Sequence, residues 1–274
     1  MPNLSKNFFY NILLTISGYV FPLLTFPYVT RVLGPEGLGK ANFVLGIVDY
    51  AVLFSSLGLG TIGIREIAKC SEDREKLNRT FSQLLTLHLF LTIVISVVYF
   101  GAVICVPELR DNFSLYAIGF CKLLFNAFLI EWLFTGLQDF KYITIRTMVT
   151  RLIYVALVFL FVRENDDIMA YVVVTVAQVI LNAIINWRYC TKVVTFTFRS
   201  DGVKMFFKPV LSLGINLLLL SFYSTFITLY LGFVCSDESI GYFTTSTKIY
   251  AIILSILSAF NGALMPYLNS LYGQ

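Results

Sequence analysis

FFYNILLTISGYVFPLLTFPYVT (residues 8–30) contains no charged side chain and ends three residues beyond a second proline. A helix needs about 20 mostly apolar residues to cross a hydrocarbon core of about 30 Å. Lipid offers nothing to an open backbone, so a crossing segment must satisfy its own hydrogen bonds as a helix. The stretch is longer than the apolar core of a cleavable signal and has no small-residue cleavage site, so it reads as a first spanning helix. Seven more segments qualify on the same grounds: 41–64, 80–106, 113–137, 143–162, 168–187, 209–234 and 241–268. Pro107 and Pro209 are expected to mark a helix end and a helix start, because proline lacks the N–H that a helix interior uses. The expected fold class is all-α, a polytopic transmembrane bundle of eight helices.

Composition agrees. Hydrophobic residues make up 58% of the chain and charged residues 13%, with a mean hydropathy of +0.80. A soluble domain carries about 25% charged residues, so lipid is the implied solvent. The net charge of +4 comes with no basic run interleaved with aromatics, which excludes a nucleic-acid partner. Cys70, Cys105, Cys121, Cys190 and Cys235 are scattered and show no metal-ligand spacing. His88, the single histidine, is expected at the membrane edge. No nucleophile elbow, phosphate loop or paired-carboxylate motif is present; the reading is of a non-enzyme without cofactor or metal.

Orientation follows from the basic residues. With the N-terminus in the cytoplasm, fourteen of the twenty basic residues fall inside, chiefly in 65–79, 141–151 and 188–208. Only Arg31, Lys40, Arg110 and Arg163 fall outside, while Lys122 and Lys248 lie within spans.

The sequence also repeats at an offset of 202 residues. Tyr28 meets Tyr230, Glu36 meets Glu238, Gly39 meets Gly241, Ile47 meets Ile249, Ser56 meets Ser258 and Gly60 meets Gly262. Six helices separate the two starts, so the units are parallel, and a substrate site is expected at their interface. The expected organisation is a six-helix unit over 1–190, a cytoplasmic linker over 191–208, and the first two helices of a second unit over 209–274.

Ionisable groups within a span are costly and mark cavities or partners. Asn42, Gly46, Asp49, Ser56 and Gly60 fall on one stripe of the second helix. Thr244, Lys248, Ser255, Ser258 and Gly262 form the matching stripe of the eighth. Close packing through small residues would explain such stripes, but Asp49 and Lys248 point to a shared water-filled cavity, with Asp49 available to hold Lys248. The fourth helix adds Lys122 near mid-span and Glu131 near its inner end, beside Trp132, which is expected as an interfacial anchor. Arg146 and Arg151 open the fifth helix, where at least one is expected to snorkel to the cytoplasmic interface.

Three stretches carry a family resemblance. KNFFYNILLTISGYVFPLLTFPYVTRVLGPEGLGKANF (6–43) resembles the opening of Wzx-type O-antigen and capsule flippases, with its KN–aromatic element, proline-bearing first helix and R-x-LG-x-x-x-x-G loop. LGLGTIGIREIAK (57–69) is similar to their second-helix ending, and EWLFTGLQDFKYITIRTMV (131–149) to their fourth-to-fifth helix signature, often written with Asp where Glu131 stands. The resemblance covers the whole chain. It implies the multidrug/oligosaccharidyl-lipid/polysaccharide exporter fold, with two six-helix lobes around a cavity. ALMPYLNSLYGQ at the C-terminus resembles the end of that family's eighth helix, so a C-terminally truncated member is expected.

The function so implied is translocation of an undecaprenyl-diphosphate-linked oligosaccharide across the bacterial inner membrane by alternating access. The partners implied are that lipid-linked glycan, membrane lipids, an H+ or Na+ coupling ion, and polysaccharide polymerase or assembly proteins. Candidate cavity and phosphate-binding residues are Lys248, Lys122 and Asp49, with Arg146, Arg151, Glu131 and Arg31 behind them. A cation-coupled multidrug exporter of the same superfamily is the near alternative, disfavoured by the two lysines. A polytopic enzyme of polysaccharide synthesis is the distant one, disfavoured by short outside loops and the lack of a metal-ligand motif.

Overall fold

A computed structural model of the chain describes residues 4–198, 201–222, 225–251 and 253–254. The described residues contain helices and no strand. They are α1 (Leu4–Ser56), α2 (Leu59–Cys70), α3 (Arg74–Cys105), α4 (Pro107–Arg110), α5 (Phe113–Asn126), α6 (Glu131–Gly136), α7 (Phe140–Phe161), α8 (Ile168–Val193), α9 (Val203–Phe222), α10 (Thr225–Val234) and α11 (237–251).

Among the described residues, six stretches are long and apolar enough to cross a membrane, the first being Phe9–Cys70 with 62 residues. At 1.5 Å per residue that stretch would run roughly 93 Å, far more than one crossing needs. It reverses instead at Gly34, whose φ of 66° and ψ of 178° suit only glycine. Long-range contacts fix the reversal. Thr144 Oγ1 donates to the Tyr10 carbonyl (3.0 Å) at one end of α7, and Tyr28 donates to the Val162 carbonyl (2.8 Å) at the other. Gly63 and Gly136 then bring α2 and α6 together back at the Tyr10 end. The bundle thus has a Gly34 end, with residues 106–112, 162–167 and 235–237, and a Glu72 end, with 57–73, 127–139, 194–198 and 201–202. Two expected spans share the first stretch. The eighth begins in α11, and most of 241–268 lies outside the described residues.

Local chemistry sets the ends. The Asp73 carboxylate caps α3 by accepting from the Glu75 and Lys76 amides (3.1 Å each), and Asp139 caps α7 through the Tyr142 amide (3.3 Å). Pro107 opens α4, two residues past the end of α3, and so marks a helix end as expected. Pro209 differs: it lies inside α9, which begins at Val203. Phe206, Val210 and Gly214 form one buried i, i+4 face, and their packing outweighs the lost hydrogen bond. The expected single helix over 113–137 is broken between α5 and α6, where Ile130 takes φ 38°. Asn186 donates to the freed Leu129 carbonyl, so the break is satisfied from α8.

Two apolar clusters hold the bundle. One, around Val29, Leu38, Val48, Tyr116 and Val172, lies toward the Gly34 end; the other, around Ile67, Phe81, Leu85, Trp132 and Phe134, lies toward the Glu72 end. Trp132 is therefore not an interfacial anchor. It is buried against Phe81, 5.6 Å between rings, and against Gly63, whose lack of a side chain makes the room. His88 is likewise buried in the packing rather than at an edge. The apolar residues left exposed, such as Ile93, Val97, Val98 and Ile104 on α3, form a surface suited to lipid and unsuited to water.

Candidate functional site

Pro22 and Pro27 interrupt the hydrogen-bond ladder of α1, and the chain around them borders a cavity of about 510 Å³. Its walls are the first half of α1, α7, α8 and α11; Arg151, Lys248, Gln178, Tyr154, Tyr171 and Thr25 supply the polar lining. Two of the expected cations, Arg151 and Lys248, therefore share one space. Arg151 donates from Nη1 to the Ser17 hydroxyl and to the Leu14 carbonyl (3.3 Å). Lys248 Nζ lies 4.5 Å from the centroid of the Phe26 ring and 3.4 Å from Asn42 Oδ1. Among the described residues, neither cation has a carboxylate within ion-pair distance.

Asp49 does not hold Lys248. It pairs with Lys122, Oδ1 to Nζ at 2.5 Å, with the lysine side chain 16% and the aspartate side chain 49% exposed. Asp49 lies two turns from Asn42, and α5 packs against that part of α1, so Lys122 is the closer base. Arg146 also departs from expectation. Its side chain is only 2% exposed, and it bonds Glu131 (2.6 Å) and Thr147 (2.9 Å) instead of snorkelling to an interface. The five-residue step from Arg146 to Arg151 turns the second arginine to a different side of α7. Arg31 lies outside the cavity, in a neighbouring apolar groove of about 590 Å³ with Leu23, Phe26, Pro27, Ile249 and Ile253.

The 202-residue offset has a direct geometric counterpart. Asn42 donates to Thr244 Oγ1 at 3.0 Å, joining two positions that the repeat equates. A Cβ on Gly39 would stand 1.7 Å from the Asp237 carbonyl oxygen, and one on Gly241 would stand 2.0 Å from the Pro35 carbonyl oxygen. Asp237 is itself the repeat counterpart of Pro35. Each helix thus presents the same patch to the other, the reciprocity of a two-fold contact. Ser255, Ser258 and Gly262, the rest of the expected stripe on the eighth span, lie outside the described residues.

A polar ladder between α7 and α8 went unread in the sequence. Thr150 donates to Asn182 (3.0 Å), and Tyr142 donates to Asn186 (3.0 Å), one turn along. Gln178, Asn182 and Asn186 recur every fourth residue, and that spacing was the available signal.

A family model described as "Polysaccharide biosynthesis protein" matches residues 4–272. A protein of Escherichia coli (strain K12) named "Putative O-antigen transporter" is 26% identical over 279 residues, covering 98% of this chain and 65% of that protein. A protein of the same name from Shigella dysenteriae is 25% identical over 273 residues, with 98% and 68% covered. The chain thus spans about two thirds of the length of these relatives. No solved structure matches the chain. A multi-pass helical bundle whose whole described length falls within one family match has a plain assignment: the chain belongs to the polysaccharide biosynthesis protein family.

Proposed function

We propose that the chain serves as a flippase, moving an undecaprenyl-diphosphate-linked oligosaccharide from the inner to the outer leaflet of the bacterial inner membrane. The observation that carries this reading is the pair Arg151 and Lys248 in one mid-bundle cavity, with no carboxylate within ion-pair distance among the described residues. A diphosphate leaving water needs compensating positive charge and charge-assisted hydrogen bonds. Tyr154, Tyr171 and Gln178 offer hydroxyl and amide groups to a glycan. The groove beside Arg31 shares Phe26 with the cavity, so the carrier's hydrocarbon tail would lie there while the head group sits on the cations. Nothing in such a step makes or breaks a covalent bond, which accords with a transporter and not an enzyme.

In this reading the Glu72 end, with the excess of Lys and Arg, faces the cytoplasm together with the N-terminus. Residues 1–190 act as one lobe and 209–274 begin a second. The linker over 191–208 follows the first lobe, since the Thr195 and Thr197 amides donate to Asn78 (2.9 Å) and Ser82 (3.1 Å) of α3. Asp49, half exposed beside Lys122, is the spanning acid open to a coupling H+ or Na+. Polymerase or assembly proteins would receive the glycan on the far side.

The test is surface-polysaccharide display with the amount of membrane-inserted protein measured in parallel. Lys248→Ala and Arg151→Ala should each lower export by about tenfold, the scale of one lost charge-assisted contact. Lys248→Glu should be worse than Ala, because it adds repulsion, and Lys248→Arg should retain part of the activity. Normal export from Lys248→Glu and Arg151→Glu at normal protein level would overturn the reading. A drug exporter would instead tolerate both changes and select for organic cations.

A further inference from the structure

The Asn42 side chain touches two groups of α11 at once. Its Nδ2 donates to Thr244 Oγ1 at 3.0 Å, and its Oδ1 accepts from Lys248 Nζ at 3.4 Å. Thr244 and Lys248 are one turn apart on α11, so a single amide spans the step between them. Thr244 is buried, and its hydroxyl donates within its own helix, to the Ile240 carbonyl at 2.8 Å. Its lone pairs are what Asn42 Nδ2 meets, and this leaves the Asn42 oxygen facing the lysine. The amide orientation is thereby fixed. On its far side, Lys248 packs on the Phe26 ring. The ammonium is held between an amide oxygen and an aromatic face, both neutral, so it is oriented without being neutralised. The contrast with Lys122, which is neutralised by Asp49, is direct.

Asn42 also lies one turn below Gly39, where the α1 and α11 backbones meet at Asp237 and Pro35. Any separation of the two helices at that seam withdraws the amide from Lys248. We propose that Asn42 is a positioning residue for transport: it presents Lys248 to the cavity while the Gly39–Gly241 seam is closed and lets it go when the seam parts. The role deepens the proposed reading of the cavity and rests on it. It gives the cavity high affinity for a diphosphate in one arrangement of the helices and low affinity in the other, which is what directional release requires.

The test is a double-mutant cycle on binding of farnesyl diphosphate, a short polyprenyl diphosphate, to the full chain in lipid nanodiscs. Asn42→Ala should weaken binding about five- to tenfold, the loss of one hydrogen bond to a charged group. In the Lys248→Ala background the same change should weaken it less than about twofold, because the group it positions is gone. Asn42→Asp should weaken binding at least as much as Asn42→Ala, since a carboxylate would pair with the lysine. Asn42→Ser guards against misfolding, and each variant is checked for monodisperse elution. Equal effects of Asn42→Ala in both backgrounds would show a purely structural residue and overturn the proposal. So would unchanged binding in Asn42→Ala and Asn42→Ser when Lys248→Ala alone weakens it. No effect of Lys248→Ala itself would remove the cavity reading and this inference together, and so separates the two failures.

Discussion

Two of the glycine contacts that join the first half of the chain to the second differ in what surrounds them. At the Gly34 end, Gly39 and Gly241 meet across repeat-equivalent positions, and Asn42, Thr244 and Lys248 lie one to two turns below. At the Glu72 end, Gly58 meets Leu213 and Val210, and Gly214 meets Leu57. There the Gly58 amide donates to the Val210 carbonyl at 3.3 Å, a backbone bond between helices, and the side chains nearest the two glycines are those of Leu213 and Leu57. Both contacts use the missing side chain to bring backbones close. At the first, the Lys248 ammonium is tied to the contact through Asn42. The same device serves as a seam coupled to a charge in one place and as a packing lock in the other.

The largest expected effect is at the first contact. Gly39→Val or Gly241→Val places a side chain where a Cβ alone would overlap a carbonyl oxygen. Overpacking costs about 1–3 kcal/mol, enough to shift a two-state population by about tenfold or more. Polysaccharide display should fall by that order while insertion persists. Wild-type display from both variants would mean the seam plays no part in transport. At the second contact, Gly58→Ala should act on stability, lowering it by about 1–3 kcal/mol, with farnesyl diphosphate binding by the surviving folded protein unchanged. Loss of binding at unchanged stability would erase the distinction between the two contacts.

A smaller effect is expected at Asp49. Because it pairs with Lys122, Asp49→Asn should change export by about two- to fivefold, within the range of a partly exposed ion pair. The change should vanish in a Lys122→Gln background and persist in a Lys248→Ala one. Persistence in both backgrounds would show that Asp49 acts alone.

The smallest effect is on pH. The Asp237 carboxyl, at the start of α11, is pushed up from its ordinary value by burial and then by Glu36, with Lys40 opposing. Its charged neighbours at the seam are thus Glu36 and Lys40. A carboxyl whose value is raised in the closed seam binds its proton more tightly there. Closure is therefore favoured as pH falls through that raised value and opposed above it, where the partly buried carboxylate is charged. Spin labels at Arg31→Cys and Cys235, with the other cysteines replaced, should report shorter separations as pH drops from about 7 to about 4. Asp237→Asn should abolish the trend; a trend that survives it belongs to another group.

Spans were legible because length and apolarity are dictated by the bilayer itself, and Pro107 punctuates the chain as its backbone requires. The repeat was legible because Gly39 and Gly241 recur with the intervening loop length. Pro209 and the broken segment at 127–130 were not, because Phe206 and Val210 on one side and Asn186 on the other supply packing and hydrogen bonds from distant elements. The Asn42–Thr244 bond needed only the offset already in hand, yet offset equates positions and does not say that they touch.

From the sequence alone come the all-α bundle, the family's motifs and the short list of spanning charges, since each depends on local composition and on what lipid excludes. Which charge meets which partner was decided by the tertiary structure. Asp49 goes to Lys122, Arg146 to Glu131, and Lys248 to an amide and an aromatic ring. Arg31 falls into a groove of its own. Pairing depends on helix rotation and on separations of a few ångströms between residues far apart in the chain. Coulomb energy and hydrogen bonding vary steeply over those distances, and nothing in the linear order of residues encodes them.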